Sequence, residues 1–318
     1  MTADGSTRWD TIDTVPEFAG VRDALRAGDW AAAEAELRAM PSDVASYAIA
    51  LIGEVDGVEQ LLDDAVRATP DSACARTALA VRWIALGWQV RSGARAENVS
   101  PEQFEGFRRW LVAAEQQLVA ACAIDGSYAP AWGARVLTAR ALEVGVAEAR
   151  RRFERVRRLS PHDFPAEVHM LEYVLPKWAG SDEEAHAFAR ERMEDAPPGA
   201  HSGALVAVYH IEGWLERDGG DPGAAYLAQS RVVDELADAA ARSVLHPDYV
   251  GGPIAVQAHS AFAMAFWLAG RREEAVAHFV ALDGRATDFP WTFAFDDPAG
   301  LDGVRAAVLG ARGRDGRT

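Results

Sequence analysis

Histidine with a carboxylate one helical turn away is the simplest pairing from which a helix builds acid–base or metal chemistry. This chain offers one such pair, His169 followed by Glu172; Tyr209-His210-Ile211-Glu212 places another carboxylate nearby, and His259 is a third helical histidine. At a spacing of three or four residues both side chains leave the same side of a helix, so they can share a proton or one cation. The order His-x-x-Glu reverses the Glu-x-x-His of carboxylate-bridged helical bundles. No His-Glu-x-x-His helix, glycine-rich phosphate loop or Gly-x-Ser-x-Gly turn occurs, so neither a metal nor a cofactor is expected. The same histidines read equally as hydrogen-bonded core residues.

Other residues invite narrower readings. Lys177 is the only lysine among 32 basic residues; beside Pro176 and Trp178 it is either a desolvated amine suited to covalent chemistry or a helix-end cation near free carbonyls. Arg150 to Arg158 holds six arginines in nine residues. With Glu148 and Glu154 four residues before Arg152 and Arg158, this reads as a solvated face or a dock for an acidic partner. Between Asp288 and Asp297 the alternation of Phe289, Trp291, Phe293 and Phe295 around Pro290 suggests an extended segment, expected to cover an apolar end of the fold or to fold into a groove.

Helices must position all of these groups. Glycine stands five residues before alanine in Gly28–Ala33, Gly180–Ala185, Gly220–Ala225 and Gly270–Ala275. A left-handed glycine can end one helix, and the small alanine lets the next lie close. Apolar residues recur at three and four residues on both sides of Gly270, with Ile254, Ala258, Ala261, Phe262, Ala265 and Leu268 before it and Ala275, Val276, Phe279 and Leu282 after it. Asp163-Phe-Pro-Ala-Glu167, Ser181-Asp-Glu-Glu184 and Ser100-Pro-Glu-Gln103 carry helix-start signals. Residues 72–92 and 101–124 read as two longer helices. The spacing predicts an all-α chain, with a strand conceivable only at 291–295.

Composition bounds the function classes. The 318 residues are 49% hydrophobic and 25% charged, an ordinary globular balance. A net charge of −16 opposes binding to nucleic acid or anionic lipid. Cys74 and Cys122 lack metal or redox spacing and read as small buried residues in a reducing compartment. The first residues, MTADGSTRWD, lack a basic start followed by an apolar core, and the apolar stretch Pro253 to Ala269 is interrupted by Gln257 and His259. A cytoplasmic protein without a membrane span is expected.

The segment Pro130 to Pro161 resembles a tetratricopeptide repeat in its second half, through Ala149, Phe153 and Pro161, and the Gly-to-Ala pairs resemble that family's turn. Gly133 stands where the family has its first-helix tryptophan, and Gly145 to Ala149 is one residue short. Leu175-Pro-Lys-Trp-Ala-Gly-Ser181 is also similar to a segment of uncharacterised bacterial helical-repeat families. The resemblance implies an irregular α-solenoid of antiparallel helical hairpins running through 1–318: hairpins over 1–70, two longer helices over 71–125, repeat-like hairpins over 126–285, then an aromatic segment and capping helix over 286–318. It further implies that first helices line a concave face presenting Glu167, Met170, Val174 and Lys177, then His210, Trp214 and Arg217, then Gln257, Ser260, Met264 and Trp267. His169 and His259 would fall at positions facing a partner helix. The expected function is a scaffold holding a protein or peptide in that groove. The alternative is an enzyme or small-molecule binder with a pocket of His169, Glu172, His210, Trp214 and His259, and a third reading is a sensor whose curvature follows its ligand.

Overall fold

The computed structural model describes residues 7–9, 11–92, 98–295 and 297–311. Apart from two short strands, every regular element among them is a helix, as the periodicity predicts. No helix there is long and apolar enough to cross a membrane. The chain divides into two compact units, Thr11–Ser181 and Asp182–Thr318 with Met1–Asp10.

The N-terminal unit contains α1 (Ala19–Arg26), α2 (Trp30–Ala39), α3 (Ser42–Gly53), α4 (Glu59–Ala68), α5 (Ala73–Arg91), α6 (Pro101–Ile124), α7 (Ala129–Ala141), α8 (Val146–Leu159) and α9 (Phe164–Tyr173). The two longer helices expected over 72–92 and 101–124 are α5 and α6. Helix α6 starts at a reciprocal cap, in which the Gln103 amide donates to Ser100 Oγ and the Ser100 amide donates to Gln103 Oε1. Helices α5 and α6 pack along their length, with Leu111, Ala114 and Leu118 fully buried between neighbours. Helices α1 and α2 form one hairpin and α7 and α8 another, while α3, α5, α7 and α9 pack among themselves.

The glycine turns follow two different rules. Gly28 and Gly270 have positive φ, 70° and 71°, as a left-handed helix end requires. Gly180 is not left-handed; a Cβ there would collide with the Val174 carbonyl, so close chain approach excludes other residues.

The arginine-rich stretch is α8, and it is two-sided. Arg151, Arg155 and Arg158 are exposed, whereas Arg152 is buried, so the expectation of a wholly solvated face holds for only part of it. Arg152 bonds Glu148, Glu115 and the Arg135 carbonyl. Cys74 is buried and Cys122 half-buried; burial pushes both thiols up, Cys74 to about 12.

The C-terminal unit holds α10 (Asp182–Asp195), α11 (Ala204–Glu216), α12 (Gly220–Leu227), α13 (Ser230–Arg242), α14 (Ala255–Leu268), α15 (Arg272–Leu282), α16 (Asp288–Trp291) and α17 (Pro298–Ala311). Strand β1 (Arg8–Trp9) pairs in parallel with β2 (Arg285–Ala286). Helices α11 and α14 are apolar on nearly every side and are buried accordingly.

Apart from Phe289, whose backbone is extended, the aromatic segment is coiled over 288–295, which corrects the expectation of extended backbone over 288–297 and of a possible strand at 291–295. Thr292 donates to the Asp288 carbonyl, and both Ala294 and Phe295 donate to that of Trp291. An alternation of two is also a spacing of four: Trp291 and Phe295 meet Trp267 at 6.1 and 5.7 Å, while Phe289 and Phe293 meet each other. Trp291 is fully buried and packs on Phe279, so the segment covers α14 and α15. Residue 296 lies outside the described set.

Candidate functional site

Four helices of the N-terminal unit each turn one stripe toward a common cavity. From α3 come Ser46, Ile49, Ala50 and Glu54; from α5 Val81, Ile84, Ala85 and Trp88. Helix α7 supplies Pro130, Gly133, Ala134 and Leu137, and the start of α9 supplies Asp163, Pro165, Ala166 and His169. Three- and four-residue steps put each set on one helical face. Their small residues leave space: a Cβ at Gly133 would meet only that of Ala166, at 3.6 Å. The volume is about 240 Å³ and the lining is mainly apolar.

Polar chemistry enters mostly through Asp163. It is the N-cap of α9, and its Oδ1 accepts from the Ala166 amide at 3.1 Å. The residue is 2% exposed and its Oδ2 has no hydrogen-bond partner. Burial pushes its carboxyl up to about 7 against the Ala166 amide, and the nearby charge of Asp43 adds to the rise. Ser46 Oγ is also buried without a partner. Burial, and secondarily Arg140, hold the His169 imidazole far below its ordinary range, so the ring on this wall is neutral.

The residues expected to line a groove scatter around this cavity. On α9 the expected face of Glu167, Met170 and Val174 is buried, while Ala166 and His169, one position earlier on the helical wheel, line the cavity. One residue is about 100° of rotation, so the spacing is right and the face is turned. Lys177 is exposed in the turn after α9, and Glu172 pairs with Arg140. In the C-terminal unit His210, Trp214 and Met264 are buried, Gln257 and Trp267 half-buried. Arg217 is exposed, with its guanidinium 4.1 Å from the Tyr226 ring centre. His259 Nδ1 lies 3.0 Å from His278 Nδ1, and burial pushes both rings down, to about 4 and about 3. The structure thus brings His169 to the cavity and places His210 and His259 in the other unit with partners there, and Trp214 in that unit with its buried indole N–H unpartnered.

His210 belongs to a hydrogen-bonded chain rather than to a cavity wall. Glu235 accepts from His186 at 2.8 Å, from His210 at 3.1 Å and from Arg190 at 3.0 Å. A carboxylate only accepts, so His210 carries its proton on Nε2 and its Nδ1 accepts from the Tyr226 hydroxyl at 2.8 Å. Burial opposes ionisation of Glu235, but His210 and His186 outweigh it and hold the carboxyl at about 2. The chain joins α10, α11, α12 and α13. Glu235→Ala is expected to cost about 1–3 kcal/mol, because it strands the His210 N–H; urea unfolding at pH 7 measures it. A depressed carboxyl stabilises above its ordinary value of 4.5, so this contribution disappears as pH falls toward 2. Among the described residues, no three or more of His, Cys, Asp and Glu are grouped to hold a metal ion.

Fold and site together define an all-α protein with a partly open, mainly apolar cavity among four helices and, in its wall, an aspartate with one unpartnered oxygen. No family model and no curated protein matches the sequence. In the sequence Gly133 stands out only as a departure from the repeat and Asp163 only as a helix start, while Ser46 and Trp88 carry no motif.

Proposed function

We propose that the chain is a cytoplasmic, tetratricopeptide-like binding protein that receives a protein or peptide segment on α3, α5, α7 and α9, with one side chain of that segment entering the cavity. The observation that carries this reading is the cavity itself: alternate helices contribute stripes that include Ala50, Ala85, Gly133, Ala134 and Ala166 at helical spacing, where a packed core would be filled. Gly133 supports it, because the residue type that would plug the space in a repeat is replaced by none. A second reading, a small-molecule binder, draws on the limited volume of about 240 Å³, which suits one compact group.

Gly133→Leu tests both. The Cβ has room, and leucine is the better helix former by about 0.5–1 kcal/mol, so the variant is expected to fold while filling the cavity. Selection from a displayed peptide library should enrich a shared anchor residue on the wild type and lose it on Gly133→Leu. Equal enrichment on both proteins rejects the site.

A further inference from the structure

We infer that the cavity selects a primary ammonium on a compact apolar stem, such as a lysine side chain or a free alkylamine, with Asp163 as its acceptor. This rests on the cavity being the binding site proposed above. Asp163 is 2% exposed, and only one of its oxygens is used by the helix cap. Oδ2 has no partner within hydrogen-bond distance, although the Ser160 hydroxyl is near enough to favour the carboxylate, and it is buried in a mainly apolar wall, an arrangement that native interiors rarely keep. An ammonium donates three hydrogen bonds and accepts none, so it can satisfy Oδ2; Ser46, which also lines the cavity, has an equally unpartnered Oγ. Glu54, exposed, adds a second acid to the lining, and among the described residues that line the cavity there is no arginine or lysine. No lining arginine or lysine is there to pair with an anion. The apolar sides, Ile49, Ile84 and Leu137, suit the methylenes of a stem, and Trp88 offers an aromatic ring that attracts a cation.

The helix cap and the ammonium site use different properties of Asp163, so they can be separated. Asparagine caps a helix as well as aspartate does but carries no charge. Cyclohexylamine, cyclohexanol and cyclohexanecarboxylate would be titrated by NMR into wild type, Asp163→Asn and Gly133→Leu. The wild type is expected to bind the amine at least about tenfold tighter than the alcohol, as charge-assisted hydrogen bonds are roughly twice as strong as neutral ones. Asp163→Asn should lose that preference and keep its affinity for the alcohol, and Gly133→Leu should bind neither. A lysine pentapeptide and its Nε-acetyl form separate the sources: binding of the unacetylated peptide alone assigns a protein segment, and binding of the free amine alone assigns a small molecule. Alcohol and amine binding equally, or a preference that survives Asp163→Asn, overturns the ammonium site but leaves the cavity assignment standing. No probe binding the wild type, or unchanged binding to Gly133→Leu, overturns both.

Discussion

Replacing Glu115 by alanine is expected to lower stability by about 3–5 kcal/mol, a larger loss than any exposed ion pair of the same unit would give. Glu115 leaves α6 and meets two arginines on two other helices: Arg135 of α7 at 2.9 Å and Arg152 of α8 at 3.0 Å. It also accepts from the Thr138 hydroxyl at 2.5 Å. The side chains of Arg135 and Arg152 are 11% and 6% exposed, so neither reaches water freely once the carboxylate is gone. Removing one member of a buried charged group leaves the others uncompensated, and that penalty sets the size of the effect. Arg152 keeps Glu148 at 2.8 Å, which favours the lower end of the range. Glu154, by contrast, pairs at 3.2 and 3.4 Å with Arg157 and Arg158 on the outer side of α8 and is 45% exposed. Its alanine variant should change stability by no more than about 0.5 kcal/mol, and by less in high salt. Urea unfolding of the two variants at low and high salt measures the contrast; equal losses would refute the two-sided reading of α8.

That two-sidedness was only half legible. Glutamates four residues before Arg152 and Arg158 give the same local pattern, yet Arg152 is buried and Arg158 exposed because Glu115, distant in sequence, approaches one side only. Local signals were otherwise reliable where the chemistry is local. Ser100 with Gln103, and Asp163 before Phe164 and Pro165, start α6 and α9 where the side chains bond the first free amides. Aromatic alternation was ambiguous because a period of two contains a period of four, and Pro290 and the turn hydrogen bonds decided for the coil. The cavity was not legible as such. It needs stripes from four helices, and one sequence reports the spacing of each stripe but not which way each helix is rolled. On α9 a roll of one residue is enough to exchange a buried face for the cavity wall.

Asp163→Asn is expected to make the ligand-free protein more stable at pH 8 by about 2–4 kcal/mol, the reverse of what loss of an acidic helix cap normally does. The folded carboxyl is pushed by burial up to about 7 from an ordinary 3.8, and the charge of Asp43 adds to the rise against the Ala166 amide and the Ser160 hydroxyl. A raised acid binds its proton more tightly in the folded state than in the unfolded one. Stability from this group is therefore greatest below about 3.8, falls as pH rises to about 7, and stays low above it. His169, held far below its ordinary range, titrates within that window only in the unfolded chain and raises stability as pH rises, equally in wild type and variant, so it cancels from the difference. Asparagine retains the bond to the Ala166 amide and has no charge to desolvate, so the gain should be full at pH 8 and small near pH 4. Urea midpoints at the two pH values measure it. A carboxylate kept at a stability cost in a cavity wall is what the proposed cation site would require, since a bound ammonium would supply the missing compensation. Adding the amine probe should then stabilise the wild type and not the variant; a variant less stable than wild type at pH 8 would mean that Asp163 already has its counter-charge.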